Sequence, residues 1–388
     1  MLDVTQVMAG PYCAMLLCDM GARVIKVEPP GGDSTRAMAG ARGGDSPAFN
    51  AVNRGKLGVV LDLRRSEGRN AFRRLARTAD VLVENYRPGV MARLGLDYPT
   101  LAAENPRLVY ASISGYGQTG PAASKGGFDL VAQGVTGIMS VTGEPDRPPL
   151  KAGLPLTDLG AGLFALSAIL AALVWRTSSG RGQHIDTSLL DAGVALSVWE
   201  ATEYFAGQGP QRLGSAHRMS APYQAFRCAD GNITIGAAND RMFSKLAVVL
   251  GHQEWVSDPR FASDDRRVQH RVALASLIEA VTVKSTCADW LRRLDEAGIP
   301  CGPINTYAEV FADPQVIARE LAVEVDHPTL GRLRSLGTPI KMSATPLDPH
   351  RRAPLLGEHT EEVLRAAGFT DEDVQALRSS GVTGTVPR

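Results

Sequence analysis

Arg23-Val24-Ile25-Lys26-Val27-Glu28 is a short β-branched run. It stands directly behind an apolar stretch, residues 12–20, that reads as a helix closed by Gly21. Leu2-Asp3-Val4 reads as extended too, so the chain opens strand, helix, strand. The alternation continues. Leu57-Gly58-Val59-Val60-Leu61-Asp62-Leu63 reads as a third strand, and residues 66–78 as an amphipathic helix with its basic side chains outward. Val81-Leu82-Val83-Glu84 and Leu108-Val109-Tyr110-Ala111-Ser112-Ile113 follow as strands. His184-Ile185-Asp186-Thr187 returns as another before a long helix over 189–205. Strands separated by helices predict a parallel, Rossmann-like α/β sheet covered on both faces. Ligands of such sheets bind beyond the carboxyl ends of the strands.

Bulk composition narrows the function. Lysine plus arginine and aspartate plus glutamate each number 41, so the net charge is zero and composition gives no case for nucleic acid or an anionic membrane as partner. The five cysteines are odd in number and scattered, without metal-ligand spacing, which fits reduced thiols in a cytoplasm and no metal. Cys13 and Cys18 fall within one apolar helix and read as core. Residues 159–175 hold no ionisable side chain, but the run is slightly short for a membrane span and has no similar partner. No basic-then-apolar leader pattern is visible at the start.

Polar residues collect at the strand ends: Thr5-Gln6-Val7-Met8-Ala9-Gly10-Pro11, Glu84-Asn85-Tyr86-Arg87, and Ser114-Gly115-Tyr116-Gly117. A dinucleotide site would need G-x-G-x-x-G after the first strand, and Ala9-Gly10-Pro11 offers one glycine. Arg64, Arg87 and Arg93 could instead hold phosphates. After Gly207-Gln208-Gly209-Pro210 the character shifts to a smaller α+β unit. Asp230-Gly231 makes a hairpin turn there, and helices are expected over 241–250, 268–283 and 287–297, before Pro300-Cys301-Gly302-Pro303 breaks the pattern. Short strands return near 322–325 and 331–334, and a last helix over 361–367.

One carboxylate is conspicuous. In Lys151-Ala152-Gly153-Leu154-Pro155-Leu156-Thr157-Asp158-Leu159-Gly160-Ala161-Gly162, Asp158 opens a helix that is apolar nearly all round and should be buried. Such an acid is either a cap on the helix dipole or a nucleophile in a dry pocket.

These segments, in this order, resemble the family III CoA-transferases, the CaiB/BaiF family, over nearly the whole chain. The resemblance rests on Ala9-Gly10-Pro11, Arg23-Val24-Ile25-Lys26-Val27-Glu28, Val83-Glu84-Asn85-Tyr86, Gly115-Tyr116-Gly117-Gln118-Thr119-Gly120-Pro121, Asp158-Leu159-Gly160-Ala161-Gly162, Gly180-Arg181-Gly182-Gln183 and Pro354-Leu355-Leu356-Gly357-Glu358-His359-Thr360. It implies that Asp158 is the nucleophile and takes an acyl group from a CoA thioester as a mixed anhydride, with Gln6 as a second candidate donor. By position it implies that CoA lies along Val7, Met8, Ala9, Leu61, Arg64, Asn85, Tyr86, Arg93 and Leu94, with Lys125 one place out of register. CoA is then a substrate, and no separate cofactor is expected. The architecture implied is an interlocked homodimer. Its large domain is built from both termini, over 1–195 and 336–388, with linkers at 196–224 and 311–335 and a small domain over 225–310.

Where racemases of the family, resembling α-methylacyl-CoA racemase, carry a His-Asp pair, this chain has Phe128-Asp129. Phe128 cannot move a proton, so racemisation is the lesser alternative. The long glycine loop of the formyl-CoA branch is missing, and 214–226 looks most like the dicarboxylate branch, typified by succinate–hydroxymethylglutarate CoA-transferase. Arg36 and His217 are the candidates for a distal carboxylate. Family members usually carry several residues before the strand that Leu2 begins, so either that strand is short or the chain starts inside a longer reading frame.

Overall fold

The computed structural model describes residues 1–41 and 45–384. They form two compact units. The larger is Met1–Ile138, Lys151–Ala206 and Pro314–Arg388; the smaller is Met139–Leu150 and Gly207–Asp313.

The larger unit is organised on six strands: β1 (Leu2–Asp3), β2 (Ile25–Glu28), β3 (Leu57–Val60), β4 (Val81–Glu84), β5 (Val109–Ser114) and β6 (His184–Ser188). Their order is β3-β2-β1-β4-β5-β6, and every pairing is parallel. The order reverses between β1 and β4, which places a crevice at the carboxyl ends of those two strands. β1 is two residues long, Leu2–Asp3. Both faces of the sheet are covered. One carries Leu2, Val27, Val59, Leu82 and Tyr110 against the helix Ser66–Ala76 and the C-terminal helices, Thr360–Ala366 and Asp371–Ser379. The other carries Val81, Val83, Val109 and Ala111 against the helices Ala9–Asp19 and Leu156–Ser179. This two-sided burial explains why the strands read as continuous apolar runs without alternation. Cys13 and Cys18 are fully buried, and all five cysteines are free thiols.

The long helix departs from expectation. It spans Leu156–Ser179, 24 residues, and by length and composition alone it could cross a membrane. It is not buried all round. Ala161, Ala165, Ile169 and Ala172 enter the core, whereas Leu163, Phe164, Val174 and Trp175 are exposed. Gly162 is required where this helix meets the one beginning at Ala9: a Cβ there would stand 2.7 Å from Ala9 O. The helix expected over 189–205 is two helices, Leu189–Leu196 and Val198–Phe205, parted at Ser197.

The outer edge of β3 is closed by the far end of the chain. Gly58 N donates to His359 Nδ1 (3.1 Å), His359 N to Gly58 O (2.9 Å) and Val60 N to Thr360 Oγ1 (3.1 Å). β10 (Ala322–His327) and β11 (Gly331–Leu336) form a separate antiparallel pair in the same unit.

The smaller unit is a three-stranded antiparallel sheet, β7 (Tyr223–Arg227), β8 (Asn232–Gly236) and β9 (Cys301–Pro303), in the order β7-β8-β9. Phe226, Ile233 and Ile235 pack on Phe243, Leu246, Trp290 and Leu294. β9 lies where the sequence suggested only a break. Its Pro303 falls at the end of an edge strand, where a missing N–H costs nothing. The helix expected over 268–283 is divided into Asp264–Gln269 and Arg271–Thr282.

Candidate active site

The crevice begins with the turn after β1. Asp3 is buried and accepts from Thr5 N and from Lys56 Nζ at 2.8 Å, so β1 ends abruptly and the chain turns outward. Gln6 is then pinned from across the sheet: its N–H donates to Asn85 Oδ1 (2.8 Å) and its carbonyl accepts from Asn85 Nδ2 (2.7 Å). Val7 follows in the left-handed region, φ 69°, a costly conformation for a β-branched residue. Its side chain is exposed, while Ala9 is buried as the first residue of its helix. The turn therefore presents the backbone and side chains of Gln6, Val7 and Met8 at the mouth of the crevice.

Across the switch point, Tyr86 packs partly against the core and its N–H donates to Glu84 Oε2 (2.8 Å). Burial pushes the Glu84 carboxyl up to about 7, against the opposing pull of hydrogen bonds from Ser112 and the Tyr86 N–H. Burial likewise raises the Tyr86 phenol, which hydrogen-bonds to the Gln6 side chain. Gln6, Asn85 and Tyr86 are thus one connected group.

Asp158 sits in the first turn of Leu156–Ser179, behind Pro155. It lies one turn before Gly162, on the same helical face. Gly162 is the residue against Ala9 O and the Tyr12 ring, so Asp158 lies one turn before the point where its helix meets the start of the Ala9–Asp19 helix. Burial pushes its carboxyl up to about 6, and the charge of Asp129 adds to the shift. The sequence reading missed Asp129 as a partner. Asp129 Oδ1 accepts from Thr157 N (3.0 Å) and Thr157 Oγ1 (2.8 Å), immediately beside Asp158. The signal was present in Phe128-Asp129-Leu130-Val131-Ala132-Gln133, but nothing local tells which later segment that acid will meet.

The remaining candidates divide. Arg93, in the short helix Val90–Leu94 after β4, and Lys125, in the loop after β5, are exposed cations, and Leu94 packs partly on the core. Arg64 is exposed, with its guanidinium across Asp62 at 2.8 Å, which holds the Asp62 carboxyl below its usual range. Two expectations are corrected by burial. Leu61 is 1% exposed as a whole residue and its N–H donates to Glu28 O at 2.9 Å, so it presents almost no surface to a ligand. Arg36 is wholly buried. It pairs with Glu28 (2.7 Å) and Asp45 (2.5 Å) and lies 3.6 Å from the Phe49 ring centroid, so it organises the interior and cannot reach a substrate carboxylate. His217 belongs to the smaller unit, where its ring stacks on Tyr223 at 4.7 Å. Among the described residues no cluster of His, Cys, Asp or Glu could hold a metal ion.

A half-buried carboxylate at a helix mouth, its charged form disfavoured by burial, is suited to attack an electrophilic carbonyl. Comparison with known proteins identifies the family. The model of CoA-transferase family III matches residues 1–360. The succinate–glutarate CoA-transferase of Agrobacterium fabrum is 43% identical over 372 residues, 94% of this chain and 93% of that protein. The acetyl-CoA:oxalate CoA-transferase of Acetobacter aceti is 42% identical over 366 residues, 92% of each. The crystal structure of a CaiB/BaiF family protein from Brucella suis superposes with a TM-score of 0.83 at 42% identity, over 94% of this chain and 97% of that one. The chain belongs to CoA-transferase family III.

Proposed function

We propose that this enzyme moves CoA from succinyl-CoA, or a similar thioester, to a dicarboxylic acid, by way of an acyl anhydride on Asp158. The observation that carries the reading is the placement of Asp158: half-buried at a helix mouth, one turn before the Gly162 contact with Ala9, with its carboxyl raised but still ionised at neutral pH. The Asp158 carboxylate attacks the thioester carbonyl and expels CoA thiolate. The acceptor carboxylate then attacks the aspartyl carbonyl and releases the first acid. CoA thiolate finally attacks the acceptor's carbonyl and restores Asp158. Every nucleophile is already an anion, so the cycle needs neither a general base nor a metal, and CoA is substrate rather than resident cofactor. Val7, Met8, Asn85, Tyr86, Arg93 and Lys125 would hold CoA, and charge-assisted bonds from the last two would meet its phosphates.

The dicarboxylate assignment draws on the succinate–glutarate relative. The acetyl-CoA:oxalate relative keeps short diacids in the panel to be tried. A homodimer is supported by consecutive exposed apolar residues on two adjoining helices: Val194, Leu196, Val198, Trp199, Tyr204 and Phe205. Five free thiols fit a reducing cytoplasm.

The test is incubation with succinyl-CoA and glutarate, oxalate, mesaconate and hydroxymethylglutarate in turn, with hydroxylamine added to intercept the anhydride. A hydroxamate on Asp158, and new acyl-CoA from one acid, are expected. An active preparation in which Asp158 stays unmodified sinks the anhydride.

A further inference from the structure

Asp129 and Gln133 stand one turn apart on the helix Asp129–Val135 and both face the segment that runs into Asp158. Gln133 is fully buried and its amide is used in full. Its Oε1 accepts from Ala152 N (2.8 Å), and its Nε2 donates to Leu154 O (3.2 Å) and to Asp129 Oδ2 (2.7 Å). The other oxygen of Asp129 takes both donors of Thr157. Each carboxylate oxygen is therefore held, and Asp129 cannot turn its charge away from the residue after Thr157.

We propose that Asp129, locked by Gln133, is a positioning residue that fixes the first turn carrying Asp158 and drives that carboxylate toward its acylated, uncharged form. The proposal rests on Asp158 being the acyl acceptor. In the first step an Asp158 oxygen forms a bond to the thioester carbon. The carbon–sulfur bond breaks, and its electron pair leaves on sulfur as CoA thiolate. No proton moves. One negative charge passes from Asp158 to the sulfur, so repulsion from Asp129 acts on the free carboxylate and vanishes in the neutral anhydride. The reactant is raised and the acyl-enzyme is not. Burial, which pushes the carboxyl up to about 6, acts in the same sense.

Other charged groups near this turn are accounted for. The helix Ala9–Asp19 presents Tyr12 against Gly162. The helix Leu189–Leu196 carries Asp191, whose Oδ2 accepts from Ser188 Oγ at 2.7 Å. On the approach, Lys151 Nζ donates to Ala152 O at 3.1 Å. Among the described residues, Asp129 is the one whose charge raises the Asp158 carboxyl.

The test follows the Asp158 carboxyl by carbon-13 NMR in full-length enzyme containing labelled aspartate, the signal being assigned by its loss in Asp158→Asn. The pH profile of kcat/KM and the yield of hydroxylamine adduct are read alongside. Asp129→Asn keeps an oxygen for Thr157 and removes the charge. It should move the titration and the acid limb together to lower pH by about one unit, a ten-fold change in proton affinity, and lower the adduct yield, with KM for the acyl-CoA unchanged. Thr157→Val removes the hydroxyl bond and keeps the charge, so it should lower kcat with the limb unmoved. Gln133→Met frees Asp129 to rotate and should shift the titration part of the way; this variant decides the matter if Asp129→Asn does not fold. An unshifted Asp158 titration in the folded variant overturns the proposal whatever happens to activity. A shifted titration with no adduct at Asp158 in the wild type overturns the anhydride reading instead, because the NMR measurement needs no turnover.

Discussion

Asn85 and Gln6, 79 residues apart, hold each other by two bonds, at 2.8 Å and 2.7 Å. The Asn85 amide mimics one more rung of β-ladder just past the ends of β1 and β4, and so props open the turn that follows. Asn85→Ala leaves the Gln6 N–H and carbonyl without these partners. It should cost about 1–3 kcal/mol of stability and raise KM for acyl-CoA more than it lowers kcat. Denaturant melts and steady-state kinetics measure the two. Unchanged KM in a destabilised variant would show the pair to be structural only.

Val7 is held at φ 69°. Glycine relieves that strain, and Val7→Gly should raise stability by about 1 kcal/mol, the strain removed less the extra freedom of an unfolded glycine. The same change should weaken CoA binding in a titration, because the loosened turn must be ordered again. Unaltered affinity would detach the strain from the function.

On the proposed anhydride route Asp158 attacks as an anion, so kcat/KM should fall as the pH drops through about 6. Its effect on stability has the opposite sense. The folded carboxyl binds its proton more tightly than the unfolded one, so the charged form is the disfavoured partner above pH 6, and stability rises as the pH falls from 6 toward 4. Asp158→Asn should abolish transfer yet stabilise the protein at pH 7 by roughly 1 kcal/mol after screening, a difference that disappears near pH 4. Thermal melts across that range decide it; a less stable variant at pH 7 would contradict the burial argument.

Arg36 lies between Glu28 and Asp45 with no exposed surface. Arg36→Ala leaves two buried carboxylates uncompensated and should cost about 3–5 kcal/mol. Whatever enzyme remains folded should keep its KM for the acceptor acid. A raised acceptor KM at native stability would return Arg36 to the substrate.

The sheet was legible because its strands are short, β-branched and punctuated, and because burial on both faces makes each a continuous apolar run between turn residues. Asp158 was legible because nothing else near it is charged. What the sequence concealed depends on distant partners. Arg36 looked like a loop cation because Glu28 and Asp45 announce no pairing, and Asp129 looked like the remainder of an altered motif because Thr157 lies 28 residues on. The long helix read as buried throughout because its apolar residues run around its whole circumference; a single chain covers one side and leaves Trp175 and Phe164 outside. The β9 strand was hidden by Pro300 just before it and Pro303 at its end, which suggest a break to any local reading.

The strand β3 donates its outward amides to His359 and Thr360, some 300 residues further along. A ribosome therefore finishes this border only once residue 360 has been made. Until residue 360 has emerged, a nascent chain displays an open, apolar strand rim able to recruit a neighbouring copy. Messages cut short upstream of that point would yield sticky polypeptides rather than merely inactive ones, and a carboxyl-terminal degradation tag or chaperone arriving early would meet the protein at its most vulnerable.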